Sequence, residues 1–299
     1  EFAENYNRPK HIVKFKPGYP AVEHLIMHEL VHLDFVIEAR KAELNQLFIS
    51  TQQHKAIFLK TLEPTIKKFQ KMGVSEEAVN NYTNGIFNGL NLQIYNTPID
   101  LFIEDFIYND YVELRPHQFL SLYAIIQEGL KAVTDKKIVE LSPKDILSKS
   151  KVYNLVYALQ YFALFGIDFV KDFQATAAEL KQARGFYDEY LQYKEDKEPA
   201  EEYELVLHWA EDLQLDKNFE LVNETAYRTK RTDIDNLLNS IEKGGDYSGI
   251  SGLAYRSGDK IIINKPSVEP VNPDDLPLPA RHLFPLDKYH THIPYGRKS

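Results

Sequence analysis

The 299 residues contain no cysteine. That single absence excludes a disulfide framework, a thiolate zinc site, an iron–sulfur cluster and a cysteine nucleophile. Long apolar runs are also missing. None reaches the roughly 18–20 residues needed to span a bilayer, and the most apolar stretch, 152–170, is interrupted by Asn154, Gln160 and Asp168. No membrane span is expected. Positive charge is in deficit, with a net charge of −9 and 26% charged residues, so a nucleic-acid partner is not expected either. No basic–apolar–small-residue leader opens the chain, which favours the cytoplasm. The start at Glu1-Phe2 rather than methionine leaves the true N-terminus open. Glycine and proline are sparse until about residue 243, and nearly half of the 13 glycines and 15 prolines lie beyond it. The body therefore reads as helical and the tail as strand, turn and extended chain.

What is present fits that division, and the fold class expected is mainly α (α+β). The residues 11–15 read as a short strand, closed by the turn Pro17-Gly18-Tyr19-Pro20. A long helix is expected from Ala21 to Phe48, where Leu25, Val31, Phe35 and Leu44 fall near one stripe. Further helices are expected near 52–72, 75–92, 97–113, 117–134, 143–165, 171–196 and 199–213. Pro98 is assigned to the first turn of its helix, where a missing N–H costs nothing. Ser75 and Ser142 are good helix starts. In the tail, Lys260 to Asn264 reads as a strand paired in a hairpin with Leu253 to Arg256, followed by an extended, linker-like run from Pro266 to Pro279. Three units follow: 1–135, a helical domain at 136–243, and a Gly/Pro-rich hairpin and extended tail at 244–299.

The chemistry is concentrated in His28-Glu29-Leu30-Val31-His32. Two histidines four apart on a helix differ by about 40° in direction and lie one turn apart, so both can address one zinc ion. Glu29 flanks the same face without being well directed as a ligand. Zinc lowers the pKa of water towards 7 and the glutamate takes its proton as the water attacks a carbonyl, which is the physical content of the H-E-x-x-H pattern. A third ligand is expected from the stretch Thr97 to Asp110. There Asp100, Glu104 and Asp105 sit among Leu101, Phe102, Ile103, Phe106 and Ile107, and a carboxylate buried in such company needs a partner. His24, one turn before His28, reads as a partly exposed helix histidine. Tyr108, Tyr111 and Tyr123 are candidates to stabilise an oxyanion.

Strand, turn and H-E-x-x-H helix in that order resemble the core of the zincin metallopeptidases, over about residues 10–48. The resemblance implies that the strand is an edge on which an extended substrate adds by backbone hydrogen bonds, and that 1–135 is a zincin-like metal-binding domain. The glycine and third histidine of the metzincins are missing after His32. The gluzincins, in which a glutamate on a later helix completes the site, are the nearer resemblance, and Glu104 matches that ligand best. Asp100, one turn earlier, is its alternative or a hydrogen-bonding partner to a histidine, and Asp105 is a further alternative. The expected function is then a zinc-dependent peptidase, a hydrolase acting on a peptide or protein substrate, with Glu29 as general base. The alternative is a non-catalytic helical interaction protein with a structural or vestigial zinc site.

A second resemblance lies in residues 232–297, around Gly244-Gly245-Asp246-Tyr247 and Leu276-Pro277-Leu278-Pro279-Ala280-Arg281. These look like the stretch that links a cobalamin-binding domain to a radical S-adenosylmethionine domain. With no cysteine to hold a cluster, the chemistry of that family cannot be carried onto any residue here. A further N- or C-terminal domain outside the chain is an expectation on this ground.

Overall fold

Capping side chains and left-handed residues, more than apolar periodicity, set where the helices of this chain begin and end. The structure, a computed structural model, describes residues 10–15, 18–19, 21–225, 247, 253–257 and 260–264. Among these the chain is mainly helical, with two small antiparallel strand pairs. No helix among the described residues is long and apolar enough to cross a membrane.

Helix α1 spans Val22–Lys41, shorter than expected. Glu43 takes a left-handed conformation at φ 61°, and the Leu44 amide donates back to the Ala39 carbonyl, which ends the helix without a glycine. The next residues form strand β1, Gln46–Ile49, paired with β2, Glu220–Asn223. Residues 11–15, expected as a strand, take no regular structure. Helices α2 (Gln52–Thr61) and α3 (Glu63–Lys71) divide the stretch expected as one helix, with Pro64 opening the second. Thr51 caps α2 through its hydroxyl, which accepts from the His54 amide.

Helix α4 runs unbroken from Glu76 to Asp110 with Pro98 inside it. Two helices were expected here. Proline lacks the N–H that would reach the Ile94 carbonyl, a loss of about 3 kcal/mol in an isolated helix. Burial from Ile94 to Ile107 compensates, because nearly every side chain in that stretch is packed. Helices α5 (Arg115–Thr134), α6 (Lys136–Leu141), α7 (Lys144–Phe165), α8 (Ala177–Glu195) and α9 (Glu202–Asp212) complete the body.

Helix α7 packs on α4, α5 and α8, while α1 packs on α4 and α5. The core is one cluster from Val31 to Phe219, continuous across residue 135, with Trp209, Tyr153 and Phe186 among its largest members. The far end of α1 is fastened by Arg40, whose Nε and Nη2 each donate to the Glu224 carboxylate at 2.7 Å. Asn45 Nδ2 donates to the same carboxylate, and Tyr203 donates to Asn45. Strands β3 (Ala254–Ser257) and β4 (Lys260–Ile263) pair as the expected hairpin. The run 266–279 lies outside the described residues.

Candidate metal centre

The histidine face of α1 meets the carboxylates of α4 across the interface between the two helices. His28 and His32 both turn Nε2 towards Asp100 Oδ1, each at 3.3 Å. The other nitrogen of His28, Nδ1, lies 2.8 Å from Glu104 Oε1. His24, one turn earlier, lies with Nε2 2.8 Å from Glu104 Oε2. The side chains grade from shut to open along α1. His24 and Glu104 are 1% exposed, while His28, His32 and Asp100 are 18%, 22% and 13% exposed. The residues 24, 28 and 32 share one face because four-residue steps nearly complete a turn, and Asp100 and Glu104 share theirs for the same reason.

The two carboxylates have different hydrogen-bond states. Glu104 is saturated: it faces both histidines and accepts from Gln118 Nε2 at 2.7 Å. Gln118 also donates to the Glu104 carbonyl, so α5 fixes both ends of that residue. Asp100 accepts from the Tyr157 hydroxyl of α7 through Oδ2, at 2.6 Å. Its Oδ1 is buried and lies at ion-pair distance from two imidazole Nε2 atoms, with neither contact in hydrogen-bond geometry. Three ligand atoms of the right kinds, from His28, His32 and Asp100, lie within 4.8 Å of one another around it. His24, His28 and Glu104 form a second such group, but there the hydrogen bonds already satisfy the carboxylate.

Charge follows this geometry. Burial works against a charged His28, but the carboxylates of Asp100 and Glu104 outweigh it and hold the imidazole well above its usual 6.5. Burial would raise both carboxyls. His28 and His32 instead hold Asp100 far below the carboxylate range, and His24 and His28 bring Glu104 down to about 2. Burial, then the Asp100 charge, push the Tyr157 phenol well above 10, so it remains a donor. Without an ion the cluster is a set of close imidazole–carboxylate contacts. A divalent cation displacing the proton at the Nε2 side would meet two neutral nitrogens and one carboxylate, an ordinary zinc donor set.

His28, His32 and Glu104 are therefore brought together with Asp100. Glu104, the expected third ligand, meets His28 through Nδ1, whereas Asp100 stands on the Nε2 side that His28 shares with His32. Asp105 is turned away and pairs with Lys194 at 2.6 Å. Glu29 is exposed on α1 and makes no hydrogen bond or ion pair among the described residues. His24, read as partly exposed, is buried and bonded to Glu104. The expected tyrosines do other things: Tyr108 lies beneath Arg115, Tyr111 packs on Phe106, and Tyr123 stacks on Phe119. Tyr157 and Gln118 were missed. Nothing local distinguishes one tyrosine among 19, and a glutamine in an amphipathic helix reads as surface.

No family model matches the chain, and no solved structure matches it. An uncharacterized methyltransferase of Pyrococcus horikoshii is 34% identical to it over 61 residues, 20% of this chain and 13% of that protein. A match of this extent carries no activity to the chain. It does overturn the resemblance to zincin and gluzincin metallopeptidases, since the similarity found is to a protein named as a methyltransferase and none to a peptidase. The edge strand on which that resemblance leaned is also missing from residues 11–15. The second resemblance, at 232–297, falls for the most part outside the described residues. The chemistry of the α1–α4 cluster stands on its own geometry.

Proposed function

We propose that the chain is a zinc-dependent hydrolase of peptide bonds, with the ion held by His28, His32 and Asp100 and with Glu29 as general base. The observation that carries this reading is the convergence of Asp100 Oδ1 and two imidazole Nε2 atoms, each 3.3 Å from it, at a partly open position. A zinc ion there supplies acidified water and a Lewis acid for a carbonyl. The remaining work belongs to the chain. Glu104 accepts the Nδ1–H of His28, which fixes the tautomer with its Nε2 lone pair towards the ion. Tyr157 occupies Asp100 Oδ2 and leaves Oδ1 free to ligate. Glu29, exposed and unpaired, follows the first ligand directly on α1 and is free to take a proton at its carboxylate.

The test is a paired measurement on wild type and Glu29→Gln: zinc content, and cleavage of a peptide library. The substitution keeps the shape and both histidines, so zinc is retained. Cleavage falls by about 10²–10⁴-fold, as loss of a positioned base does. Equal cleavage by both proteins contradicts the role of Glu29. Zinc retained with no cleavage by wild type supports the structural-site alternative instead.

A further inference from the structure

Helix α6 stands apart from the others because none of its six residues is buried. Three of the six are apolar, and Ile138, Val139 and Leu141 are all exposed. Met72, 60% exposed at the end of α3, joins them. The two helices meet where Lys68 Nζ donates to the Glu140 carbonyl at 3.3 Å. Beside them the Tyr82 hydroxyl donates to the Leu141 carbonyl at 2.8 Å, and its ring packs on Phe69. Exposed aliphatic residues scattered singly need no account, but four around one junction do.

Lysines surround these side chains. Lys68 and Lys71 of α3 and Lys136 and Lys137 of α6 are exposed, and none has a carboxylate at ion-pair distance among the described residues. Lys67 lies beside them, paired with Glu63. Asp135 is turned to the α6 backbone as its cap, which leaves Glu140 as the free carboxylate of the two segments. In a chain of net charge −9 this junction is a local excess of positive charge. Its composition also separates the partners it fits. The centres of protein interfaces are depleted of lysine and built on tryptophan, tyrosine and arginine, and this surface is lysine and aliphatic residues. A second copy docked on the same face would bring lysines against lysines. A lipid surface suits both features, since lysine stems lie along apolar surface with the ammonium at headgroup level, where anionic lipid attracts it.

We infer that the surface formed by α6 and the end of α3 seats the protein on an anionic membrane, lying on the bilayer rather than spanning it. The inference needs neither the metal centre nor the proposed hydrolysis. The test is co-sedimentation of the full chain with vesicles of phosphatidylglycerol mixed with phosphatidylcholine, beside vesicles of phosphatidylcholine alone. The chain binds the anionic vesicles at least about 10-fold more strongly, and binding weakens as salt rises. The Lys71→Gln, Lys137→Gln double variant, altered at two exposed positions, loses about 10–30-fold in binding. Met72→Ser with Val139→Ser keeps every lysine and also weakens it. Because the chain has no cysteine, a single introduced thiol carries an environment-sensitive dye to a chosen place. Dye on Val139→Cys shifts to the blue with anionic vesicles, and dye on Leu191→Cys, exposed on α8, does not. The His28→Ala, His32→Ala variant binds vesicles as wild type does, which separates this surface from the metal centre. No binding to anionic vesicles, equal binding to both kinds, or binding unchanged in the lysine variant overturns the inference. Self-association of the chain that the same variants abolish, without vesicle binding, assigns the surface to a second copy and overturns it too.

Discussion

Asp100 and Glu104 are one turn apart on a single helix and have opposite hydrogen-bond states, and that contrast assigns their roles. Glu104 faces three N–H donors, so replacing it leaves His24 Nε2 and His28 Nδ1 without that acceptor, in a site that is nearly closed to water, and Gln118 with only the residue-104 carbonyl. Glu104→Ala is expected to destabilise the metal-free protein by about 3–5 kcal/mol, the cost of breaking a buried pair from one side, measured by urea unfolding. Asp100 is held from the far side by Tyr157. Tyr157→Phe keeps the ring packing and removes only the hydroxyl, so it is expected to weaken zinc binding by about 10–100-fold with little change in fold, read by chelator competition. Unchanged zinc affinity contradicts a positioning role for that hydroxyl. At this scale the sequence exposes His28 and His32 because their spacing alone puts them on one helix face. It also points to the apolar stretch holding Asp100 and Glu104. Which of those carboxylates faces the histidine pair depends on how α4 rolls against α1, and local spacing does not contain that angle.

Helix boundaries show where pattern ends and packing takes over. The sequence puts the end of α1 seven residues late because Glu43, not glycine, takes the left-handed position, and a glutamate there sends no stop signal. It splits α4 in two because Pro98 usually marks a first turn, whereas burial on every side carries the helix through it. Helices α5, α7 and α9 are legible nearly as they stand, with Pro116 in the first turn of α5, Pro143 at the N-cap of α7 and a left-handed Gly166 at its end. Helix α8 instead begins at Ala177 behind a capping Thr176, six residues later than expected. The α5–α7 contact offers a test of how tightly these elements meet. A methyl group on Gly129 would fall within clashing distance of the Asn154 side chain, which is itself held by the Ser150 carbonyl. Gly129→Ala therefore trades a gain of about 1 kcal/mol in helix propensity against overpacking of about 1–3 kcal/mol. The net expectation is a lower melting temperature, and a rise would show that α5 and α7 can move apart freely.

For the whole molecule, the cluster couples stability to pH and, under the proposed zinc site, to metal. The folded pKa values of Asp100 and Glu104 lie below their ordinary 3.8 and 4.5, so their contribution is present above those values and is lost as pH falls through the folded ones. His28 lies above its ordinary 6.5, so its contribution is complete below 6.5 and is lost as pH rises through the higher folded value. Without metal the protein is expected to be most stable between about 4.5 and 6.5, seen as a maximum in melting temperature against pH. Under the proposed zinc site the upper side of that profile is expected to reverse. Zinc would need a neutral His28, so its affinity would rise with pH and binding would release a proton. At about 100 times its dissociation constant it would stabilise the fold by about 2.7 kcal/mol. The most direct single measurement is the zinc stoichiometry of the intact chain by native mass spectrometry, for wild type beside the His28→Ala, His32→Ala double variant. One zinc per wild-type chain and none in the double variant is the predicted result. No zinc on wild type supplied with excess ion, or equal zinc on both proteins, would contradict a metal centre at His28, His32 and Asp100.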